Sequence, residues 1–180
     1  MTKTSQRIIE TAETLFYKHG FGNVGVDTIR DEAQCSKTTM YNNFGSKEQL
    51  IVAVLIARDE RFKTSLTTYI GESVQGIEAI MRLLEWHQHW FDEPNFNGCL
   101  FIRASSELDT PNPQIEAVIK SHKQWIMDLI TEKVKDNSKA LLIMILLEGL
   151  ISINLIFHHD KDYCKQAMVV AEQQCKGLLD

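Results

Sequence analysis

The sequence predicts an all-α protein, and three observations carry that expectation. Apolar residues recur at three- and four-residue spacing along nearly the whole chain. No strictly alternating apolar–polar run bounded by turn residues suggests a strand. Gly and Pro number only 9 and 3 in 180 residues, and most fall between the periodic stretches. The breaks at Gly20–Gly25, Gly45, Gly71–Gly76, Asp92–Gly98, Asp109–Pro113, Asp136–Ser138 and His158–Asp162 leave about nine helical segments. There is no internal repeat or low-complexity stretch. A composition of 44% hydrophobic and 24% charged residues is globular and suffices for a sizeable core.

The first helix is expected from about Thr4 to His19, with Ile8, Ile9, Ala12, Leu15 and Phe16 on one face and Gly20 at the stop. Two short helices follow, Val26 to Ala33 and Lys37 to Phe44, joined by Gln34, Cys35 and Ser36. Ser36 suits the N-cap of the second. Ser46, with Gln49 three residues on, has a capping-box pattern and opens a long helix to about Tyr69. Two short helices across a three-residue turn make a helix-turn-helix if their apolar faces agree. They do: Val26, Ile29, Ala33, Cys35, Met40 and Phe44 point inward together, which should bury Cys35. Lys37, Thr38, Thr39, Asn42 and Asn43 then point outward. These side chains suit base edges: Lys for guanine acceptors, Asn for adenine, Thr for either, with its methyl on thymine.

The stretch VDTIRDEAQCSKTTMYNNFGSKEQLI, with RIIETAETLFYKHGF before it, resembles the DNA-binding domain of the TetR family of bacterial repressors. The resemblance covers roughly residues 4 to 56. It implies a three-helix DNA-binding domain over residues 1–46 and a helical-bundle ligand-binding and dimerisation domain over 47–180. It further implies a homodimer on a palindromic operator, released by a small molecule, and phosphate contacts from Tyr41 and Lys47. The first turn of a helix, where Lys47 lies, favours an anion independently of the resemblance. The chain departs from the family in three places. Gln34-Cys35 replaces the usual Gly-Val, so Gln34 must adopt a backbone conformation that favours glycine, at a cost of about 1 kcal/mol. Thr38 stands where Gly is common, so an operator sequence does not carry over from relatives. Gly25 replaces the usual Ser/Thr cap, offset in part by Asp27 near the positive helix end.

The C-terminal part predicts an apolar face of Ile77, Ile80, Met81, Leu84 and Phe91 on a helix from Gln75, with His87 inside it and Trp86 and Trp90 beside it. A later helix, Pro113 to about Val134, carries Ile115, Val118, Ile119, Ile126, Leu129 and Ile130, with His122 in the stripe and Trp125 next to it. Each histidine has three readings: a core residue with one hydrogen bond, a cavity residue, or a metal ligand. Glu148 sits in the apolar stretch Ala140 to Phe157, either paired with Ser152 or a cation, or facing a ligand. Trp86, His87, Trp90, Phe101, His122, Trp125 and Glu148 are the candidate effector site. Planar groups, two imidazoles and a carboxylate suit a small hydrophobic or aromatic effector. Ala140–Phe157 is long enough to raise a membrane span, but its central carboxylate and the lack of a second such segment favour a buried helix. That helix, with Met168, Ala171, Cys175 and Leu178 after it, is the expected dimer surface.

The formal net charge is −5, yet residues 1–63 hold nine Lys/Arg against eight Asp/Glu, and residues 64–180 hold ten against sixteen. Bulk charge therefore excludes a nucleic-acid coat but leaves room for a small DNA-reading face. Cys35, Cys99, Cys164 and Cys175 form neither a C-x-x-C pair nor a disulfide framework, and no signal peptide is visible, so a cytoplasmic location is expected. His158, His159, Asp160 and Asp162 are not expected to hold a metal, and no cofactor is expected. No enzyme motif occurs, and no Glu has a His three residues later, which removes a di-iron bundle. The alternative function is a ligand-insensitive DNA-binding or adaptor protein controlled by a protein partner.

Overall fold

A computed structural model describes residues 2–108 and 112–179. Among these residues there are nine helices and no strand: α1 Lys3–His19, α2 Val26–Glu32, α3 Lys37–Phe44, α4 Lys47–Ile70, α5 Gly76–Phe91, α6 Leu100–Glu107, α7 Pro113–Val134, α8 Asn137–Ile156 and α9 Lys161–Leu179. The expected break at Asp109–Pro113 falls mostly on residues 109–111, which lie outside the described residues. The chain forms two compact units, one of Met1–Arg61 with Cys99–His122, the other of Phe62–Gly98 with Lys123–Asp180.

In the first unit, Ile8, Ile9, Ala12 and Phe16 of α1 are buried with Ile29, Met40, Leu50, Leu55, Phe101 and Ala104. Phe16 stacks on Phe21 with ring centroids 4.9 Å apart. Each such large side chain contributes about 1.5–3 kcal/mol on burial. Gly20 ends α1 at φ 86, a conformation that costs other residues dearly. Glu13 of α1 receives Arg58 at 2.9 Å and also pairs with Arg61, both on α4. Arg58 lies 4.4 Å over the Tyr17 ring as well, so this pair fixes α1 against α4 by charge and packing together. Ser46 accepts from the Gln49 N–H at 3.2 Å, but the capping box does not close. The Gln49 amide instead donates to Gln114 at 2.6 Å.

In the second unit, α5, α8 and α9 pack together. The buried stripe of α9 is Cys164, Met168, Ala171 and Cys175, spaced by four, three and four residues. Helix α5 is turned slightly from expectation. Ala79 and Leu83 are buried with Ile80, Leu84, His87 and Phe91, while Ile77 and Met81 are half-buried. The C-terminal end of α4 leaves carbonyls without helical partners. Arg82 Nη1 donates to one of them, Ile70 O, at 3.1 Å, and in the turn that follows the buried Lys133 Nζ donates to Glu72 O at 2.8 Å. Asp136 caps α8 by accepting the N–H groups of Ser138 and Lys139. Helix α8 is long and apolar enough to cross a membrane by length and composition, and a third of it is buried in the unit.

Candidate nucleic-acid interface

The reading motif is built as its residues dictate. Gly25 leads into α2 without a side-chain cap, and Asp27 lies in the first turn. Arg30 binds Asp27 at 2.9 Å and Asp31 at 2.6 Å, which draws both carboxylates along α2. The i,i+3 spacing of Asp27 and Arg30 carries that signal in the sequence, and it was not among the expected site residues. Gln34 sits at φ 48, the left-handed conformation that its place in the turn requires. Arg7 of α1 donates to its carbonyl at 3.4 Å. Ile29, Ala33 and Met40 are buried, and Val26, Cys35 and Phe44 pack against them half-buried. Cys35 is thus less enclosed than expected, because the turn carries it to the edge of the core.

Helix α3 starts at Ser36, whose hydroxyl accepts the Thr39 N–H at 3.0 Å and shares a 2.8 Å hydrogen bond with the Thr39 hydroxyl. Asn43 Nδ2 donates to Thr39 O at 2.7 Å. Thr39 and Asn43 are therefore tied to their own helix. Lys37, Thr38, Tyr41 and Asn42 stand exposed on it, with Lys37 Nζ 4.0 Å from Asp27. Gly45 ends the helix at φ 73.

Lys47 is half-buried in the first turn of α4. Its ammonium donates to Phe21 O at 2.7 Å and lies 6.0 Å from the Phe16 ring. Burial pulls its pKa below the ordinary lysine value, with Glu48 opposing. One of three ammonium donors is used, which leaves two for a phosphate. Glu48 is held below the usual carboxylate range, first by its hydrogen bond with Ser46.

The seven candidate effector residues divide between the units. In the first, His122 is 2% exposed, its Nδ1 is 2.8 Å from Asp59 Oδ1, and its ring stacks on Phe101 at 3.6 Å. In the second, the buried His87 has Nδ1 2.8 Å from Leu83 O. Trp86 meets Phe62 edge-on at 5.0 Å and donates its indole N–H to Ser65 at 3.0 Å. Trp90 and Phe96 meet edge-on at 5.0 Å. Trp125 faces Phe62 at 6.4 Å, with Lys63 5.4 Å over its ring. Glu148 accepts from Lys123 at 2.6 Å. A groove of about 390 Å³ lies elsewhere in this unit, along α8 and α9, and none of the seven lines it. Ile145, Gly149 and Ile153 form one wall, and Tyr163, Ala167 and Val170 the other.

Residues 8–54, which span most of α1, all of α2 and α3 and the start of α4, match the family described as bacterial regulatory proteins, tetR family. These residues therefore form a TetR-type DNA-binding segment. Among curated TetR-type relatives, UidR of Escherichia coli is 26% identical over 133 residues, which are 74% of this chain and 65% of that protein. The repressor NemR of Escherichia coli is 22% identical over 139 residues, 74% of this chain and 68% of NemR. A TetR-family regulator from Streptomyces coelicolor has the same fold, with a TM-score of 0.87, 24% identity and coverage of 98% of this chain and 94% of that one. Reduced NemR superposes with a TM-score of 0.78 at 18% identity, covering 98% of each chain. The TetR family consists of transcriptional regulators and not of enzymes.

Proposed function

We propose that the chain is a sequence-specific transcriptional regulator that binds a palindromic operator as a homodimer and represses until an effector displaces it. The observation that carries this reading is the α2–turn–α3 motif with Lys37, Thr38, Tyr41 and Asn42 exposed on one short helix. Phosphate contacts from Tyr41 and Lys47 position the motif, and Thr38 and Asn42 read bases. Thr39 and Asn43 play a lesser part because their own helix holds them. Selection of bound duplexes from a random pool tests the reading. The expected result is an enriched two-fold symmetric sequence with half-site centres about one DNA turn, roughly 34–36 Å, apart. A pool that enriches no sequence, or only an asymmetric one, counts against it.

The dimer is supported by α8 and α9. Leu141, Leu142, Ile145, Ile156, Val169 and Val170 are exposed, and Ile145 and Ile156 reach 58% and 65%. A surface of this kind needs cover, and a second copy supplies an identical apolar face around a two-fold axis. The bacterial relatives support action in the cytoplasm, where the operator is.

Effector control is the finer part of the reading. Phe62, Trp86, Trp90 and Trp125 gather aromatic edges within the second unit, and Lys63 beside Trp125 adds a cation that suits an aromatic or acidic organic molecule. An operator-release screen with hydrophobic cations, aromatic acids and acyl compounds, repeated on Trp125→Ala, tests it. Compounds that release DNA from the wild type should act more weakly on the variant. The Lys123 partner of Glu148 and the Leu83 partner of His87 favour the alternative, a regulator insensitive to ligands, and that reading wins if no compound releases DNA.

A further inference from the structure

Phe21, in the turn between α1 and α2, is held from both sides. Its N–H donates to Glu107 Oε2 at 2.7 Å, and its carbonyl accepts Lys47 Nζ at 2.7 Å. Glu107 is the last residue of α6, and its other oxygen accepts Arg103 Nε at 2.5 Å. Arg103 Nη1 donates onward to Tyr17 O at 2.9 Å. Tyr17 lies in the last turn of α1, whose carbonyls lack helical partners and carry the negative end of the helix dipole. A guanidinium suits that end. Gly20 is fixed by the same arrangement, because a Cβ there would stand 2.6 Å from Glu107 Oε2. An i,i+4 Arg–Glu pair on a solvated helix would have no further target. Here each member continues onto the backbone of a different element.

We propose that Arg103 and Glu107 are positioning residues for DNA binding, holding the α1–α2 turn so that Lys47 keeps a fixed anchor beside the recognition helix. The inference rests on the DNA-binding reading above. With Phe21 held, the Lys47 side chain is ordered before DNA arrives, and its two remaining donors meet a phosphate without that ordering cost. When Glu107 no longer holds the Phe21 N–H, the turn relaxes and the anchor is lost. The pair touches no DNA; it acts through Phe21 and Lys47.

The test is a double-mutant cycle on binding to the selected operator, read by fluorescence anisotropy well below the melting temperature of each protein. Glu107→Met removes the acceptor for the Phe21 N–H while keeping the side chain's length, and should weaken binding about tenfold. Glu107→Met combined with Lys47→Met should bind no more weakly than Lys47→Met alone, since the two share one route. A swapped pair, Arg103→Glu with Glu107→Arg, keeps opposite charges but offers the Phe21 N–H no acceptor from position 107, and should bind as weakly as Glu107→Met. A merely structural role moves the melting temperature and leaves operator affinity and the cycle unchanged. Should Glu107→Met fail to fold, the swapped pair gives the same comparison, because it restores the charge pair and not the acceptor. Wild-type affinity in Glu107→Met, fully multiplicative losses in the cycle, or restored binding in the swapped pair overturns the inference while DNA binding stands. Failure of the wild type to bind any duplex is a separate outcome and overturns both.

Discussion

Helices α3 and α8 both leave much of their surface uncovered, but in opposite chemistry. The uncovered surface of α3 is Lys37, Thr38, Tyr41, Asn42 and Asn43. That of α8 is Leu141, Leu142, Ile145 and Ile156. Polar groups at a helix surface are already satisfied by water, so their exposure costs nothing and becomes informative only through spacing that fits base edges. Apolar groups are different. A contiguous apolar face is rare on a protein that works alone, so its exposure already implies a partner. The same solvent-facing state therefore points to DNA in one helix through geometry and to a second copy in the other through hydrophobicity.

Placing a charge on each face sharpens that contrast. Ile145→Asp puts a carboxylate where the proposed interface is dry, and should raise the dimer dissociation constant at least about a hundredfold. Sedimentation velocity at micromolar concentration should show dimer for the wild type and monomer for the variant. An unchanged dimer would move the interface off α8. On α3 the effect is smaller and selective. Asn42→Ala should cost about 1–3 kcal/mol per half-site at one base and relax preference there. Tyr41→Phe should weaken operator and random duplexes alike. Equal losses on both duplexes for Asn42→Ala would reassign it to the phosphate backbone.

The covered side of α9 makes a third comparison, with pH as the variable. Burial first, and Glu172 second, pushes the Cys175 thiol from 9.0 up to about 11. Its neutral form is favoured in the fold, so the associated stability is complete below pH 9 and is lost as pH rises toward 11. At pH 10.5 the loss relative to pH 8 should reach about 2 kcal/mol. Urea unfolding of wild type and Cys175→Ala at both values isolates it, since other groups titrate in both proteins. A pH dependence identical in the two proteins would show Cys175 to be accessible to water when folded.

These faces were unequally legible in the sequence. The reading motif could be placed because Ile29, Ala33 and Met40 share a side and Ser36 and Gly45 mark the ends of α3. Local chemistry sets all of those features. Helix α8 is apolar nearly all round, so its pattern gave no sign of which stripe faces α9, and Ile143, Leu147 and Leu150 could be separated from Ile145 only by their neighbours. Long-range polar contacts were hidden for the same reason. Arg103 and Glu107 can be read as an i,i+4 pair, but nothing local says that they reach Tyr17 and Phe21, each 86 residues away. Glu148 was ambiguous until Lys123 appeared beside it, 25 residues off in sequence.

The smallest effects compare two backbone positions of the same kind, one in each unit. Gln34 and Lys135 are the non-glycine residues at positive φ among those described, at 48° and 58°. A side chain in this region costs roughly 1–2 kcal/mol, partly offset in a glycine variant by the greater freedom of glycine in the unfolded chain. Gln34→Gly should therefore stabilise the protein by about 1 kcal/mol, since the exposed Gln34 side chain loses little on removal. Lys135 follows α7, and its N–H donates to Thr131 O at 2.8 Å, as a left-handed helix end requires. As a cation just past the negative end of that helix, Lys135 also adds an interaction of about 0.3–1 kcal/mol that glycine would remove. Lys135→Gly should thus gain less than Gln34→Gly, roughly half a kcal/mol or nothing. Urea midpoints at low salt and at 0.5 M salt decide between these contributions, because salt screens the charge and leaves the backbone preference intact. The Lys135→Gly gain should grow at high salt while that of Gln34→Gly stays constant. Gains that respond equally to salt would mean that the charge at the end of α7 does not separate the two turns.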